Sequence, residues 1–167
     1  MAQVQHQLFV MGCFAKGWGD VPDIEQGSDQ WTKVRRTLKM ASETAALLGM
    51  SPWKPKTPLE LYRIKTGEET IPVTPAMRDG LKYEPRAREL MEKEKLLDFP
   101  PTFMTGDDHF AASLDGWDGG HDVTAVFCVY CKHSDSIIHM PVEIDEAWTD
   151  KIVSAWDRFW VNYISQT

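Results

Sequence analysis

The sequence predicts an α+β fold, a single mixed β-sheet flanked by helices. Helix signals fill residues 28–97, strand signals fill residues 99–143, and one amphipathic stripe closes the chain after Asp145. Helices, then strands, then a helix is the element order of that class. The chain has 167 residues, enough for one domain, residues 1–167, with a core that needs no disulfides.

Residues 2–11 read as a short helix. Residues 15–27 hold three Gly and one Pro, so residues 13–27 read as a loop or linker, and residues 28–167 form the core. Ser28 is placed to cap a helix running to about Lys39, with Trp31, Val34 and Leu38 on one face. Ser42 is expected to cap a second helix that Gly49 ends. Thr57-Pro58-Leu59-Glu60 is a capping box with proline in the first helical position, and Gly67 stops that helix. Thr74-Pro75 starts another helix, expected to end near Gly80. Pro85 restricts Glu84 to an extended or turn conformation, so a bend is predicted before a helix over residues 86–97.

Residues 99–107 and 109–114 read as strands joined by a Gly-Asp-Asp turn. Residues 124–132 (TAVFCVYCK) have the apolar, β-branched and aromatic character of a buried strand. Residues 136–143 follow as a strand whose Pro141 favours a sheet edge. Asp145 caps the last helix, whose stripe is Trp148, Ile152, Ala155, Phe159 and Tyr163.

Composition narrows the function. A hydrophobic content of 43% and seven Trp indicate a globular chain. No apolar run has the length of a membrane span, and the first residues lack the features of a signal peptide. Three cysteines, an odd count, fit a reducing compartment, and a cytoplasmic location is expected. The net charge is −7, whereas a generic DNA-binding domain is basic. Cations nevertheless concentrate at Lys33, Arg35, Arg36 and Lys39, then at Lys54, Lys56, Arg63 and Lys65. Such a run suits a phosphate-facing edge or, more blandly, a solvated helix face.

Glu84 follows a glycine turn, and Asp115 lies in Ser113-Leu114-Asp115-Gly116. Two-metal nucleases collect carboxylates in this way, because a divalent cation beside phosphate needs several anionic oxygens. Cys128, Cys131 and His133 invite a zinc reading, but no second ligand pair stands at ribbon spacing. On a strand, Cys128 and Cys131 point to opposite faces, so buried apolar cysteines explain them better. His133 does not directly follow Cys131, which excludes the c-type haem pattern.

Trp31, Arg35, Ala41-Ser42, Leu48-Gly49, Ser51-Pro52-Trp53, Thr57-Pro58 and Lys65-Thr66-Gly67 occur in one order, followed by Glu84 and the Ser-Leu-Asp-Gly turn. Over residues 23–117 this resembles the YqaJ-type viral recombinases, the lambda-exonuclease-like branch of the PD-(D/E)XK nucleases. The resemblance implies a PD-(D/E)XK core, a phage or prophage source, and 5′→3′ exonuclease-like work on double-stranded DNA ends. It implies that Arg35 and Ser42 grip the terminal 5′-phosphate. Asp115 and Glu84 become candidate catalytic residues and ligands for Mg²⁺ or Mn²⁺. A single-strand annealing protein and a homo-oligomer are further implied partners.

The chain departs from that pattern. The family's Glu-x-Lys strand after the Asp-Gly turn is missing. The family's glutamine helix, which lines the active site, resembles Gln3-Val4-Gln5-His6-Gln7-Leu8 at the N-terminus. Motif order is therefore expected to be rearranged, with Gln3 and Gln5 as further catalytic candidates. Asp118, Asp122 and Lys132 are the nearest replacements for the missing strand. Two functions follow. One is a DNA-end-processing recombination protein with impaired or lost catalysis. The other is a catalytically dead nuclease fold used as a binding module, such as an inhibitor of a host nuclease or CRISPR-type defence complex.

Overall fold

The computed structural model describes residues 19–20, 27–106, 109–116, 125–143 and 145–165. In order they form β1 (Gly19–Asp20), α1 (Asp29–Arg36), β2 (Lys39–Met40), α2 (Thr44–Leu47), α3 (Pro58–Thr66), α4 (Pro75–Lys95), β3 (Thr102–Thr105), β4 (Phe110–Leu114), β5 (Ala125–Cys131), β6 (Ser136–Val142) and α5 (Glu146–Phe159). A 3₁₀ turn, Ala41–Glu43, precedes α2, and a π turn, Trp160–Ile164, follows α5.

The class is α+β, as expected, but the described strands fall into two sheets where one was predicted. The order β1-β3-β4-β2 makes a four-stranded mixed sheet, and β5-β6 makes a two-stranded one. In the first, β1 runs antiparallel to β3, and β2 runs parallel to β4 with Met40 opposite Ala111. In the second, β5 and β6 are antiparallel, with Cys128 opposite His139. Strand partners are set by non-local pairing, which a run of β-formers does not reveal.

The chain divides into two compact units. One draws on residues 73–102 and 114–143, the other on residues 18–72, 103–113 and 144–167. The first unit centres on α4. Ala87 and Met91 bury against Phe99 and Cys128, with Val126, Tyr130 and Ile137 packed around them. The predicted end near Gly80 and the predicted bend at Pro85 are both absent, and α4 continues through them to Lys95. Proline forfeits a hydrogen bond to the carbonyl four residues back. That carbonyl belongs to Leu81, which is exposed, and burial of Ala87 and Met91 favours keeping the helix whole. Glu84 is therefore helical.

The second unit has two apolar clusters. Trp31, Val34 and Leu38 pack on Met40, Phe103 and Ala111. Leu61, Trp156 and Phe159 form the other, ringed by Leu47, Tyr62, Phe110 and Ile152 among others. Each fully buried large side chain contributes roughly 1.5–3 kcal/mol. The expected α5 stripe faces the core at Ala155 and Phe159, with Ile152 and Tyr163 packed on the Leu61 cluster, and departs from expectation at two tryptophans. Trp156 is fully buried, while Trp148 is 39% exposed.

The predicted caps hold at four helix starts. The hydroxyls of Ser28, Thr57 and Thr74 accept from the backbone N–H three residues on, and Asp145 accepts from Ala147. Gly67 ends α3 in the left-handed region, at φ +82°. Ser42 does not cap. It sits inside the 3₁₀ turn, and α2 begins at Thr44 without a side-chain cap.

Candidate functional site

The Ser42 hydroxyl is engaged elsewhere. Its Oγ accepts from Arg35 Nη2 at 2.9 Å. Arg35 Nη1 donates to Ser113 Oγ at 3.4 Å, and Trp31 Nε1 donates to the same oxygen at 3.1 Å. The Arg35 guanidinium also lies 4.2 Å over the Trp31 ring. Helix α1 places Trp31 and Arg35 one turn apart on the same face, and β4 delivers Ser113. Each serine oxygen accepts from the cation, so each hydroxyl proton remains available to donate. A planar cation flanked by two such hydroxyls is suited to a phosphate group.

A buried ion pair supports this cluster. Lys65, on α3, is 5% exposed. Its Nζ donates to the carbonyls of Arg35 (2.9 Å) and Leu38 (2.7 Å), closing the C-terminal end of α1. The same nitrogen lies 2.7 Å from Glu43 Oε2, and Arg35 Nη2 lies 3.9 Å from Glu43 Oε1. Burial pushes the Glu43 carboxyl upward, opposed by Lys65 and then Arg35. Burial pulls Lys65 and Arg35 downward, opposed in both by Glu43. Lys39 also turns inward, pairing with Asp157 at 3.0 Å. Lys39 and Lys65 are thus structural members of a run whose simplest reading was a solvated face.

In the other unit, Arg88 joins the two predicted metal-type acids. It pairs with the Glu84 carboxylate one helical turn away, and its Nε donates to the Asp115 backbone carbonyl at 2.9 Å. The Asp115 carboxyl is pushed up to about 7, chiefly by burial and then by the Glu84 carboxylate, with Arg88 opposing. Gly116 fixes the turn. A Cβ there would stand 2.8 Å from Phe99 Cβ and 2.9 Å from its carbonyl oxygen, so no side chain fits without displacing that backbone.

The raised Asp115 carboxyl has a consequence for stability. A folded value near 7 lies above the unfolded value of about 3.9. Its contribution is therefore fully present below the unfolded value and lost as pH rises through the folded one. Asp115→Asn removes the ionisation. The variant is expected to be more stable than the native protein at pH 8, by roughly 2 kcal/mol after allowance for solvent screening. The advantage should shrink at pH 5. Urea unfolding at the two pH values measures it, and an equal difference at both would contradict the assignment.

The remaining candidates divide. Gln3 and Gln5, with the rest of the N-terminal glutamine segment, lie outside the described residues, as do Asp118 and Asp122. Lys132 directly follows β5, pairing with Asp79 at 3.7 Å and facing the Tyr83 ring at 5.9 Å. Cys128 is buried on β5, and burial pushes its thiol up to about 11. Among the described residues no group of three His, Cys, Asp or Glu side chains could hold a metal ion. Glu84 and Asp115 with water could ligate one Mg²⁺, but Arg88 already engages Glu84. This donor set does not fit a two-metal centre.

Sequence reasoning missed the roles of Ser113, Glu43, Lys65 and Arg88. The spacing of Glu84 and Arg88, four apart on a helix, was a usable signal once the helix was known to continue. Nothing local marks Glu43 or Lys65 as buried.

The α+β class, with two small sheets and five helices, is consistent with a nuclease-like fold. The profile of the YqaJ-like viral recombinase domain matches residues 30–166, and the chain belongs to that family. No curated protein and no solved structure matches the chain. Among the described residues, no helix is long and apolar enough to cross a membrane.

Proposed function

We propose that this protein binds 5′-phosphorylated ends of double-stranded DNA in phage recombination, with little or no Mg²⁺-dependent cleavage. The observation that carries the reading is the meeting of Arg35 with Ser42 at 2.9 Å, joined by Ser113. These residues lie on α1, the 3₁₀ turn and β4, and they converge as a phosphate grip requires. Family membership makes a DNA end the expected phosphate source. Impaired catalysis rests on the acids. Glu84 is tied to Arg88, the Glu-x-Lys element is absent from the sequence, and Asp115 lacks a third acid among the described residues. Mg²⁺ or Mn²⁺, if bound, would be held by Asp115 and Glu84, supplying charge neutralisation beside phosphate.

The test is Arg35→Ala, titrated against duplexes with 5′-phosphate and 5′-hydroxyl ends. A charge-assisted contact is worth about 1.5–3 kcal/mol, so the preference for phosphate should fall by about 10-fold or more. Equal affinity of the native protein for both ends would remove the assignment. The dead-module reading, with a host defence protein as partner, is favoured instead if the native protein binds neither end.

A further inference from the structure

We infer that the exposed Trp53 indole is a stacking platform for an unpaired base at the DNA end. This rests on the end-binding reading above and adds a second contact to it. Trp53 is 77% exposed, although tryptophan carries one of the largest apolar surfaces of any side chain. The loop holding it is tied down at several points. Ser51 Oγ donates to the Trp53 carbonyl at 2.7 Å, and Lys56 N donates to Glu60 Oε2 at 2.7 Å. Lys54 pairs with Glu69. Pro52 and Pro55 fix two further φ angles. An indole on a loop so constrained loses little freedom when a base stacks on it.

The same ties set its location. Glu69 follows α3, its N–H donating to the Arg63 carbonyl at 3.0 Å. At Gly67, the Arg36 guanidinium lies 3.2 Å from where a Cβ would stand. Lys65 reaches from the same end of α3 to the Arg35 carbonyl. The Trp53 loop and the end of α1 that carries Arg35 thus both attach to the C-terminal end of α3. Charge fits the occupant. Between residues 27 and 72, with the inward-turned Lys39, Lys65 and Glu43 set aside, Lys and Arg outnumber Asp and Glu six to four in a chain of net charge −7. Exposed Lys54 and Lys56 follow Trp53 in sequence. Aromatic rings beside cations bind single-stranded nucleic acid by stacking and phosphate attraction.

The experiment uses the full chain in EDTA and 5′-phosphorylated duplexes, blunt or with a short 5′ overhang whose unpaired base is 2-aminopurine. Binding should quench the 2-aminopurine emission. Trp53→Ala should remove most of the quench and weaken overhang binding by about 10-fold, as expected for stacking worth about 1–3 kcal/mol. Blunt ends should bind as before, and Trp53→Tyr should retain most of the effect. Native-like overhang binding by Trp53→Ala would overturn the inference, as would equal losses on both duplexes. So would a loss confined to a protein partner, with DNA binding intact. If the native protein prefers 5′-phosphate while Trp53→Ala behaves like it, only the platform falls. If the native protein binds no end, both readings fall.

Discussion

Lys65→Met is expected to destabilise the protein by about 3–5 kcal/mol, the cost of leaving one partner of a buried ion pair uncompensated. Methionine keeps most of the stem's packing but none of the charge. Glu43 would keep only Arg35, at 3.9 Å, and the carbonyls of Arg35 and Leu38 would lose the ammonium donor. For a chain of this size the melting temperature should drop on the order of 10 °C. The 5′-phosphate preference should fall as well, because Arg35 becomes the sole counter-charge for Glu43. The double variant Lys65→Met with Glu43→Gln should recover at least half of the lost stability, since the cost lies in the orphaned carboxylate. An unchanged melting temperature for Lys65→Met would show that the pair is solvated and unimportant.

Trp156→Ala is the second large effect. Trp156 is fully buried, meets Phe159 edge-on at 5.7 Å, and donates from Nε1 to Thr44 Oγ1 at 3.0 Å. Removing it empties the centre of the Leu61 cluster and costs about 3–5 kcal/mol. Trp156→Phe keeps much of the ring but loses the hydrogen bond, so it should cost about 1–2 kcal/mol. Urea unfolding of the two variants separates packing from the hydrogen bond. Equal losses would mean that the hydrogen bond, not the ring, carries the site.

The elements that could be read from sequence are those fixed by local chemistry. Ser28, Thr57, Thr74 and Asp145 cap helices because a side-chain oxygen meets a backbone N–H two or three residues away. Gly67 ends α3 because it tolerates a left-handed conformation. Local rules failed where distant residues decide. Ser42 looks like a cap, but Arg35 claims its hydroxyl. Pro85 looks like a break, but packing of Ala87 and Met91 against Phe99 and Cys128 favours an unbroken α4. Trp156 was left off the α5 stripe because the stripe through Trp148 has the same period.

The candidate site was legible to different depths. Arg35 and Ser42 were found only through the family resemblance, since each alone is an ordinary surface residue. Glu84 and Asp115 were named from the carboxylate pattern, the resemblance gave them a role, and the structure adds the Arg88 bridge between the Glu84 side chain and the Asp115 backbone. Glu43 and Lys65 were invisible because charged residues are rarely buried, and only tertiary contact shows when they are.

Digestion of a 5′-phosphorylated linear duplex in Mg²⁺ decides most directly whether DNA-end binding has outlived catalysis here. The donor set around Asp115 predicts little or no release of nucleotides, with at most weak activity in Mn²⁺. Robust digestion in Mg²⁺ that Asp115→Ala abolishes would contradict it, and would mean that another side chain has taken the place of the missing Glu-x-Lys.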